Sequence, residues 1–334
     1  KTKLENKRER VEGNTKDPQE KLPFNDRKES IYSEILTGLK LEQKELPPKY
    51  FYDEKGSALF DQICGLEEYY PTRTETEILT ENIDEIVDSI HSNSVIIEYG
   101  SGSSIKTKIL LDNLPDLGTY IPVDISYSHL HKSAKALQSR YPNLKIIPVT
   151  ADYTKNFDLP SIASKTKKNT VFFPGSTIGN FYPKQPIAFL KKVANQVGSG
   201  GGLIIGIDLK KDPQILNLAY NDSQGITEKF NLNMLSNINS ILGSNFNLDN
   251  FRHFAEYNLQ FGRIEMHLVS KVDQMVSIGE EEITFENGEN LLTEVSYKYS
   301  LEEIQEIADQ SGFTLRKSWV DEKKYFSVNC LTID

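Results

Sequence analysis

With 334 residues the chain can bury a sizeable core in one large or two modest domains. Its 48 acidic residues outnumber 38 basic ones, a balance that disfavours a nucleic-acid backbone and points to a small-molecule substrate. Two cysteines, Cys64 and Cys330, build neither a disulfide framework nor a cysteine-rich zinc site, and no apolar run approaches the roughly 20 residues of a membrane helix. A reducing, cytoplasmic setting without a membrane partner is expected.

Residues 1–30 are rich in lysine and glutamate, have few apolar anchors and lack the core of a signal peptide, so they read as a solvated, disordered tail. Ser30 fits an N-cap, with Ile31, Ile35, Leu36 and Leu39 at helical spacing behind it. Leu46-Pro47-Pro48-Lys49-Tyr50-Phe51-Tyr52 reads as extended because of its prolines. A short helix follows, carrying Leu59, Phe60 and Ile63. After the polar-aromatic turn Glu68-Tyr69-Tyr70-Pro71-Thr72-Arg73, Thr74 and Glu77 have the spacing of a capping box for a helix burying Ile78, Ile83, Ile86, Val87 and Ile90.

The apolar run Val95-Ile96-Ile97 then ends in Glu98-Tyr99-Gly100-Ser101-Gly102 and opens a polar, helix-compatible stretch that includes Lys106. Strand, glycine turn and helix start form a place where a nucleotide-like ligand can approach the backbone. A dinucleotide fingerprint wants a third glycine where Ile105 stands. An acidic residue just ahead of the turn suits S-adenosylmethionine, whose amino and sulfonium groups are positive. At this point a methyl donor, a nicotinamide dinucleotide and a purely structural turn all remain open.

Beyond the turn the pattern alternates: strand at 119–124, helix at 127–140, strands at 144–150 and 170–174, helix at 184–196, strand at 202–208. Short apolar runs between helical segments predict an α/β fold, a parallel sheet covered on both faces, with ligands beyond the carboxyl ends of its strands. Asp124, Asp152 and Asn180 stand at or just beyond such ends. Residues 212–242 read as helical and 250–298 as alternating strands with turns at Gln260-Phe261-Gly262 and Glu286-Asn287-Gly288. A helix at 301–310 and antiparallel strands at 313–320 and 325–333 close the chain.

Asp124 is placed to accept ribose hydroxyls, and Asp152-Tyr153 to meet an adenine amino group and stack beside the ring; the competing reading of Asp124 is a helix-capping turn residue. Three acidic strand ends in register favour the methyl donor over the dinucleotide. Glu294 and Ser296, two apart on a predicted strand, share a face and together can hold a heterocycle with one N–H donor and one acceptor, or else form a solvent face. The five histidines are scattered, His129 and His131 do not share a helical face, and neither a metal site nor a Ser-His-Asp grouping is expected.

Six stretches in order resemble the histidine Nα-methyltransferases of ergothioneine biosynthesis: Leu46-Pro-Pro-Lys-Tyr-Phe-Tyr-Asp, Glu68-Tyr-Tyr-Pro-Thr-Arg-Thr-Glu, Glu98-Tyr-Gly-Ser-Gly-Ser-Ser-Ile-Lys-Thr, Pro174-Gly-Ser-Thr-Ile-Gly-Asn, Arg263-Ile-Glu-Met and Leu291-Leu-Thr-Glu-Val-Ser. The resemblance implies a class I S-adenosylmethionine-dependent methyltransferase domain, Rossmann-like with an antiparallel last strand, at 76–210 and 299–334. It implies a smaller, discontinuous α+β substrate-binding domain at 31–75 and 211–298. The implied activity converts L-histidine through mono- and dimethyl forms to hercynine, releasing S-adenosyl-L-homocysteine at each step. By the resemblance, Glu98, Gly100, Ser101, Gly102, Lys106, Asp124, Asp152 and Tyr153 belong to the donor site. Asn180 and Tyr220 hold the substrate carboxylate, Glu294 and Ser296 the imidazole, and Thr227 and Met266 fall at pocket positions. Tyr69, beside imidazole and amine, and Tyr52 are the candidate catalytic residues. The family often has Phe where this chain has Tyr153. An amine methyltransferase for a tryptophan-like substrate and a non-catalytic donor-binding subunit are the competing functions, and nothing in the pattern calls for a second subunit.

Overall fold

A computed structural model describes residues 24–91, 93–102, 105–114, 116–160 and 168–334. Ten α-helices are described: α1 (Phe24–Leu39), α2 (Glu54–Cys64), α3 (Tyr70–Glu81), α4 (Ile83–Asp88), α5 (Ile105–Asp112), α6 (Tyr127–Arg140), α7 (Gln185–Val197), α8 (Pro213–Tyr220), α9 (Ile226–Leu242) and α10 (Leu301–Gln310). The first strands are β1 (Val95–Tyr99), β2 (Thr119–Asp124), β3 (Lys145–Ile146), β4 (Val149–Thr150), β5 (Asn169–Phe173) and β6 (Gly202–Asp208). They are followed by β7 (Phe251–Asn258), β8 (Arg263–Ser270), β9 (Gln274–Ile278), β10 (Glu281–Phe285), β11 (Asn290–Tyr297), β12 (Thr314–Val320) and β13 (Phe326–Thr332).

The main sheet runs β12-β13-β6-β5-β1-β2-β3, with β4 also paired to β2. β1 and β5 are buried along their whole length, as a sheet covered on both faces requires. Strand order reverses at β1, which pairs in parallel with both β2 and β5. That reversal is where an open α/β sheet leaves its ligand crevice. The predicted α/β fold is therefore present. Only β13 runs against the others: it is antiparallel to both β6 and β12, the antiparallel last strand expected above, and β12 keeps the direction of the rest.

Several local expectations need correction. Residues 1–23 of the predicted tail lie outside the described residues, and α1 begins at Phe24, upstream of the Ser30 cap, because no Gly or Pro interrupts residues 24–30. Pro48 opens a 3-10 turn, Pro48–Phe51, inside the stretch read as extended; a missing N–H costs nothing in a first turn. The Thr74–Glu77 capping box does not form. Pro71, also in a first turn, starts α3 at Tyr70, which leaves Thr74 buried within the helix. The strand expected at 144–150 is split into β3 and β4 around Pro148, which has no N–H for a ladder. The helical stretch 212–242 is two helices, and Asp222 begins the second by accepting from the Ile226 and Thr227 N–H groups at 2.9 and 2.8 Å.

Three apolar clusters fill the interior. One joins Ile35–Tyr70 positions to Leu216–Leu291 positions, bringing α1, α2 and the 3-10 turn onto α9 and the β7–β11 strands. The other two lie on opposite faces of the main sheet, one against α7 and α10, the other against α3, α4 and α5. Helix α3 bridges the systems, with Tyr70 in the first cluster and Ile78 and Leu79 in the third.

A close approach holds α3 to the sheet. Glu75 is fully buried, and a Cβ placed on Gly206 of β6 would lie 1.9 Å from its Oε1. Gly206→Ala is therefore expected to displace Glu75 and lower stability by roughly 1–3 kcal/mol in urea denaturation. A stability equal to that of the parent would show that the approach is unimportant.

Candidate active site

One cavity of about 770 Å³ opens beyond the carboxyl ends of β1, β2 and β4, and β11 forms its far wall. Its donor half is built on the glycine turn. Gly100 and Gly102 take φ of 70° and 41°, a region that disfavours a side chain, and the Gly100 N–H donates to Val123 at 2.8 Å. A Cβ on Gly100 would sit 3.9 Å from the Tyr153 ring, which stacks on Tyr99 with centroids 5.4 Å apart. The 3.9 Å is ordinary contact distance, so it is the positive φ that calls for glycine at this turn, with the Tyr153 ring lying beside it. Ser101 and Lys106 are also in the wall, whereas Ser103 and Ser104 lie outside the described residues.

Asp124 accepts the Ser126 N–H at 2.9 Å, which makes it a turn residue ahead of the N-cap Ser126 rather than the helix cap, and it lines the cavity. Burial raises its carboxyl above the usual range, against N–H groups of Ser126, Gly102 and Ile125 and the nearby His129. Asp152 is held by the N–H and hydroxyl of Thr154. Glu98 lies in the wall, but its Oε2 accepts from the Thr107 hydroxyl at 2.6 Å and from the Tyr120 hydroxyl, tying β1 to β2 and α5. Lys106 is paired with Glu75, whose oxygens also accept the Gly175 N–H at 2.9 and 3.1 Å.

The other half is built on the alternation of β11. Glu294 and Ser296 both face the cavity, and so does Lys298, one residue past the strand's end. They are brought to the sheet by Gly179. A Cβ there would lie 2.7 Å from the Tyr297 carbonyl oxygen, so only glycine lets the turn Thr177–Asn180 press against β11. Asn180 then donates to the Val295 carbonyl at 2.7 Å and reaches the Glu294 carboxylate. Ser176, ahead of that turn, is held at φ 56° and accepts the Asp208 N–H at 2.8 Å.

A buried ionic cluster stands behind the wall. Asp208 accepts from Lys298 at 2.7 Å, from Lys211 at 2.6 Å and from the Tyr70 hydroxyl at 2.8 Å to each oxygen. Lys298 also donates to Ser296 Oγ at 2.8 Å and to the Tyr220 hydroxyl at 3.3 Å. Burial holds the Lys211 ammonium down to about 8 against the attraction of Asp208. An aromatic wall closes the side: Tyr52 meets Phe60 at 5.8 Å, Phe60 meets Tyr69 at 6.3 Å, and Tyr69 meets Tyr220 at 6.1 Å between centroids. Among the described residues the Tyr52 and Tyr69 hydroxyls have no hydrogen-bond partner, and burial raises both well above the usual phenol range.

Fourteen of the sixteen candidate residues thus stand at one cavity. Thr227 and Met266 do not: both are buried outside the wall, Thr227 beside Asp222 and Met266 in the apolar cluster beneath β11. Sequence reasoning passed over Asp208, Lys298, Lys211, Glu75 and Phe60. Asp208 obeys the strand-end rule that found Asp124 and Asp152, and Lys298 continues the two-residue alternation of Glu294 and Ser296. Among the described residues no group of three His, Cys, Asp or Glu side chains is placed to hold a metal ion.

A family profile described as histidine-specific, S-adenosylmethionine-dependent methyltransferase matches residues 31–333. The chain belongs to this family. It is 38% identical over 299 residues to a histidine N-alpha-methyltransferase of Mycolicibacterium smegmatis, covering 88% of this chain and 92% of that one. Ergothioneine biosynthesis protein 1 of Neurospora crassa is 32% identical over 84% of this chain, which spans 32% of that longer protein. A 4-dimethylallyltryptophan N-methyltransferase of Claviceps purpurea is 26% identical over 88% of this chain and 92% of its own length. The methyltransferase is S-adenosylmethionine-dependent, and the donor half fits that molecule: a glycine turn whose positive φ angles disfavour side chains, an aromatic ring at Tyr153 beside it, and carboxylates at successive strand ends.

Burial pushes both Glu98 and Glu294 up to about 7, in each case against opposing partners: chiefly Thr107 and Tyr120 for Glu98, Lys298 and Asn180 for Glu294. Because the folded value exceeds the ordinary one, their contribution to stability is full below about pH 4.5 and is lost as pH rises through about 7. Glu294→Gln removes one share, so the fall in urea-unfolding free energy of the ligand-free enzyme across that window should shrink by on the order of 1–3 kcal/mol. An identical fall in both proteins would count against a buried, titrating Glu294.

Proposed function

We propose that this enzyme methylates the α-amine of L-histidine three times with S-adenosylmethionine, giving hercynine, as a step of ergothioneine biosynthesis. The observation that carries this reading is the pairing, on one cavity wall, of a carboxylate at Glu294 with a hydroxyl at Ser296, opposite the glycine turn. A ring with one N–H and one lone-pair nitrogen matches that pair, and a site built for it leaves buried polar groups unpaired when another amino acid enters. The name of the Mycolicibacterium relative supports the same substrate, and that of the Neurospora relative the same pathway.

In this reading Gly100, Gly102, Asp124, Asp152, Tyr153 and Lys106 hold the donor, while Asn180 meets the substrate carboxylate and Tyr220 beside it turns its hydroxyl to Ser296 at 3.1 Å. When bound, the donor supplies an electrophilic methyl group on a sulfonium. The chain's own part is positioning, because in-line displacement by a neutral amine needs close approach and little covalent help. Tyr52 and Tyr69 stay un-ionised, so they serve as hydrogen-bonding walls and not as bases. Their rings can attract the growing ammonium by cation–π interaction of about 0.5–2 kcal/mol. The separate apolar clusters support a division into a substrate part (31–75 and 211–298) and a donor part (76–210 and 299–334).

A tryptophan-like amine is the competing substrate, on the strength of the Claviceps relative. Mass spectrometry of the enzyme with donor and equimolar histidine and tryptophan separates the two: trimethylated histidine is expected, and its absence beside methylated tryptophan would overturn the proposal. Glu294→Ala should lower kcat/KM for histidine by about 100-fold or more while changing donor affinity less than about threefold. Asp124→Ala should weaken donor binding in calorimetry by about 10–100-fold; undiminished affinity would remove it from the donor site.

A further inference from the structure

The cluster around Asp208 contains more than a structural ion pair. A lysine ammonium has three donors and no acceptor. Lys298 spends them on Asp208 Oδ2 at 2.7 Å, Ser296 Oγ at 2.8 Å and the Tyr220 hydroxyl at 3.3 Å. Its side chain is 1% exposed, and its anchor is immobile in turn, because both Asp208 oxygens accept from Tyr70 and one also accepts from Lys211. The Tyr220 hydroxyl stands 3.1 Å from Ser296 Oγ.

The proton count is then constrained. Ser296 and Tyr220 have two hydroxyl protons between them. One lies along their mutual hydrogen bond. Both oxygens already accept from the lysine, so the second proton is the one that faces the cavity. We propose that Lys298, anchored by Asp208, is a specificity-determining positioning residue that forces the Ser296–Tyr220 pair to meet the ligand as a donor while Glu294 meets it as an acceptor. This deepens the histidine reading and rests on it. The wall then demands a neutral imidazole with one ring nitrogen of each kind. A ring with an N–H but no lone-pair nitrogen leaves the outgoing hydroxyl unpaired, and a ring with a lone-pair nitrogen but no N–H leaves Glu294 unpaired.

Two alanine derivatives separate these demands. One has a pyrrole ring, with an N–H and no acceptor nitrogen; the other has a thiazole, with an acceptor nitrogen and no N–H. The parent enzyme is expected to prefer histidine over both. In Lys298→Met the hydroxyl pair can turn and accept, so the preference over the pyrrole compound should fall by at least about tenfold, chiefly through KM, while the preference over the thiazole compound changes less than about threefold. Lys298→Arg, which keeps a donor, should retain the pyrrole discrimination. Calorimetric binding of S-adenosyl-L-homocysteine reports folding. If the single variant does not bind it, Lys298→Met with Asp208→Asn, which removes the stranded carboxylate, is measured instead. Unchanged ratios overturn the inference, and so does a parallel loss of both preferences, the signature of a merely loosened pocket. A parent enzyme that leaves histidine unmethylated overturns the histidine reading and this inference with it; an active parent with unchanged ratios in the variant overturns this inference alone.

Discussion

The structure depends on keeping three charges out of water at one point. Asp208, Lys298 and Lys211 are almost wholly enclosed, and stripping water from each costs several kcal/mol that only close, multiple hydrogen bonds offset. Those bonds come from different parts of the chain. Asp208 ends β6, Lys298 follows β11, and Tyr70 opens α3. The backbone reinforces the junction: the Tyr299 N–H donates to Asp208, and the Leu209 N–H to Tyr325. Removing one partner would strand a buried charge, at a cost of roughly 3–5 kcal/mol, so the carboxyl end of β6 and the substrate strand hold each other in register.

Helix α3 extends this arrangement to the donor side. One turn beyond Tyr70 it presents Glu75, which grips Lys106 and the Gly175 N–H. The same rigid rod therefore touches the ionic cluster at one point and the donor loops at another. In a displacement that gains its rate from alignment, a fixed distance between the two halves matters more than any single proton-transfer group. The un-ionised Tyr52 and Tyr69 fit that economy of chemistry.

Much of this was legible in the sequence, for identifiable reasons. The runs around Val95, Thr119 and Gly202 are apolar and short, and their strands fall within a residue of the expected places. Helix α6 and helix α10 match because hydrophobic spacing marks them, and Ser300 with Glu303 caps the second. The errors gather at prolines. Pro48 and Pro71 open helical turns that were read as extended or as a loop, since a proline that ends one element can begin another. Glycine turn, strand-end acids and the Glu294–Ser296 pair were visible because each obeys a local periodicity. Asp208 with Lys211 was not: its partners are Tyr70, 138 positions upstream, and Lys298 far downstream, and no local pattern announces a long-range ion cluster. Phe60 was seen only as a helix-forming apolar residue, whereas the fold turns it into cavity wall.

The position of β13 has a consequence for how the molecule comes into being. It is the last strand in chain order, yet it sits inside the sheet, between β6 and β12. Near the other end, the Leu46 N–H donates to the Leu292 carbonyl, and Gln43 reaches Asn290. Both pairings join segments far apart along the chain, so the entropy of closing long loops comes before any contact that rewards it. The cavity is consequently walled by contacts of high sequence separation. Until β13 slots in, the carboxyl end of β6 has no neighbour on its outer side and the charges gathered there have no dry place to meet. A chain of this topology should spend its slowest step as an incomplete sheet with an open edge, the species most exposed to misassembly.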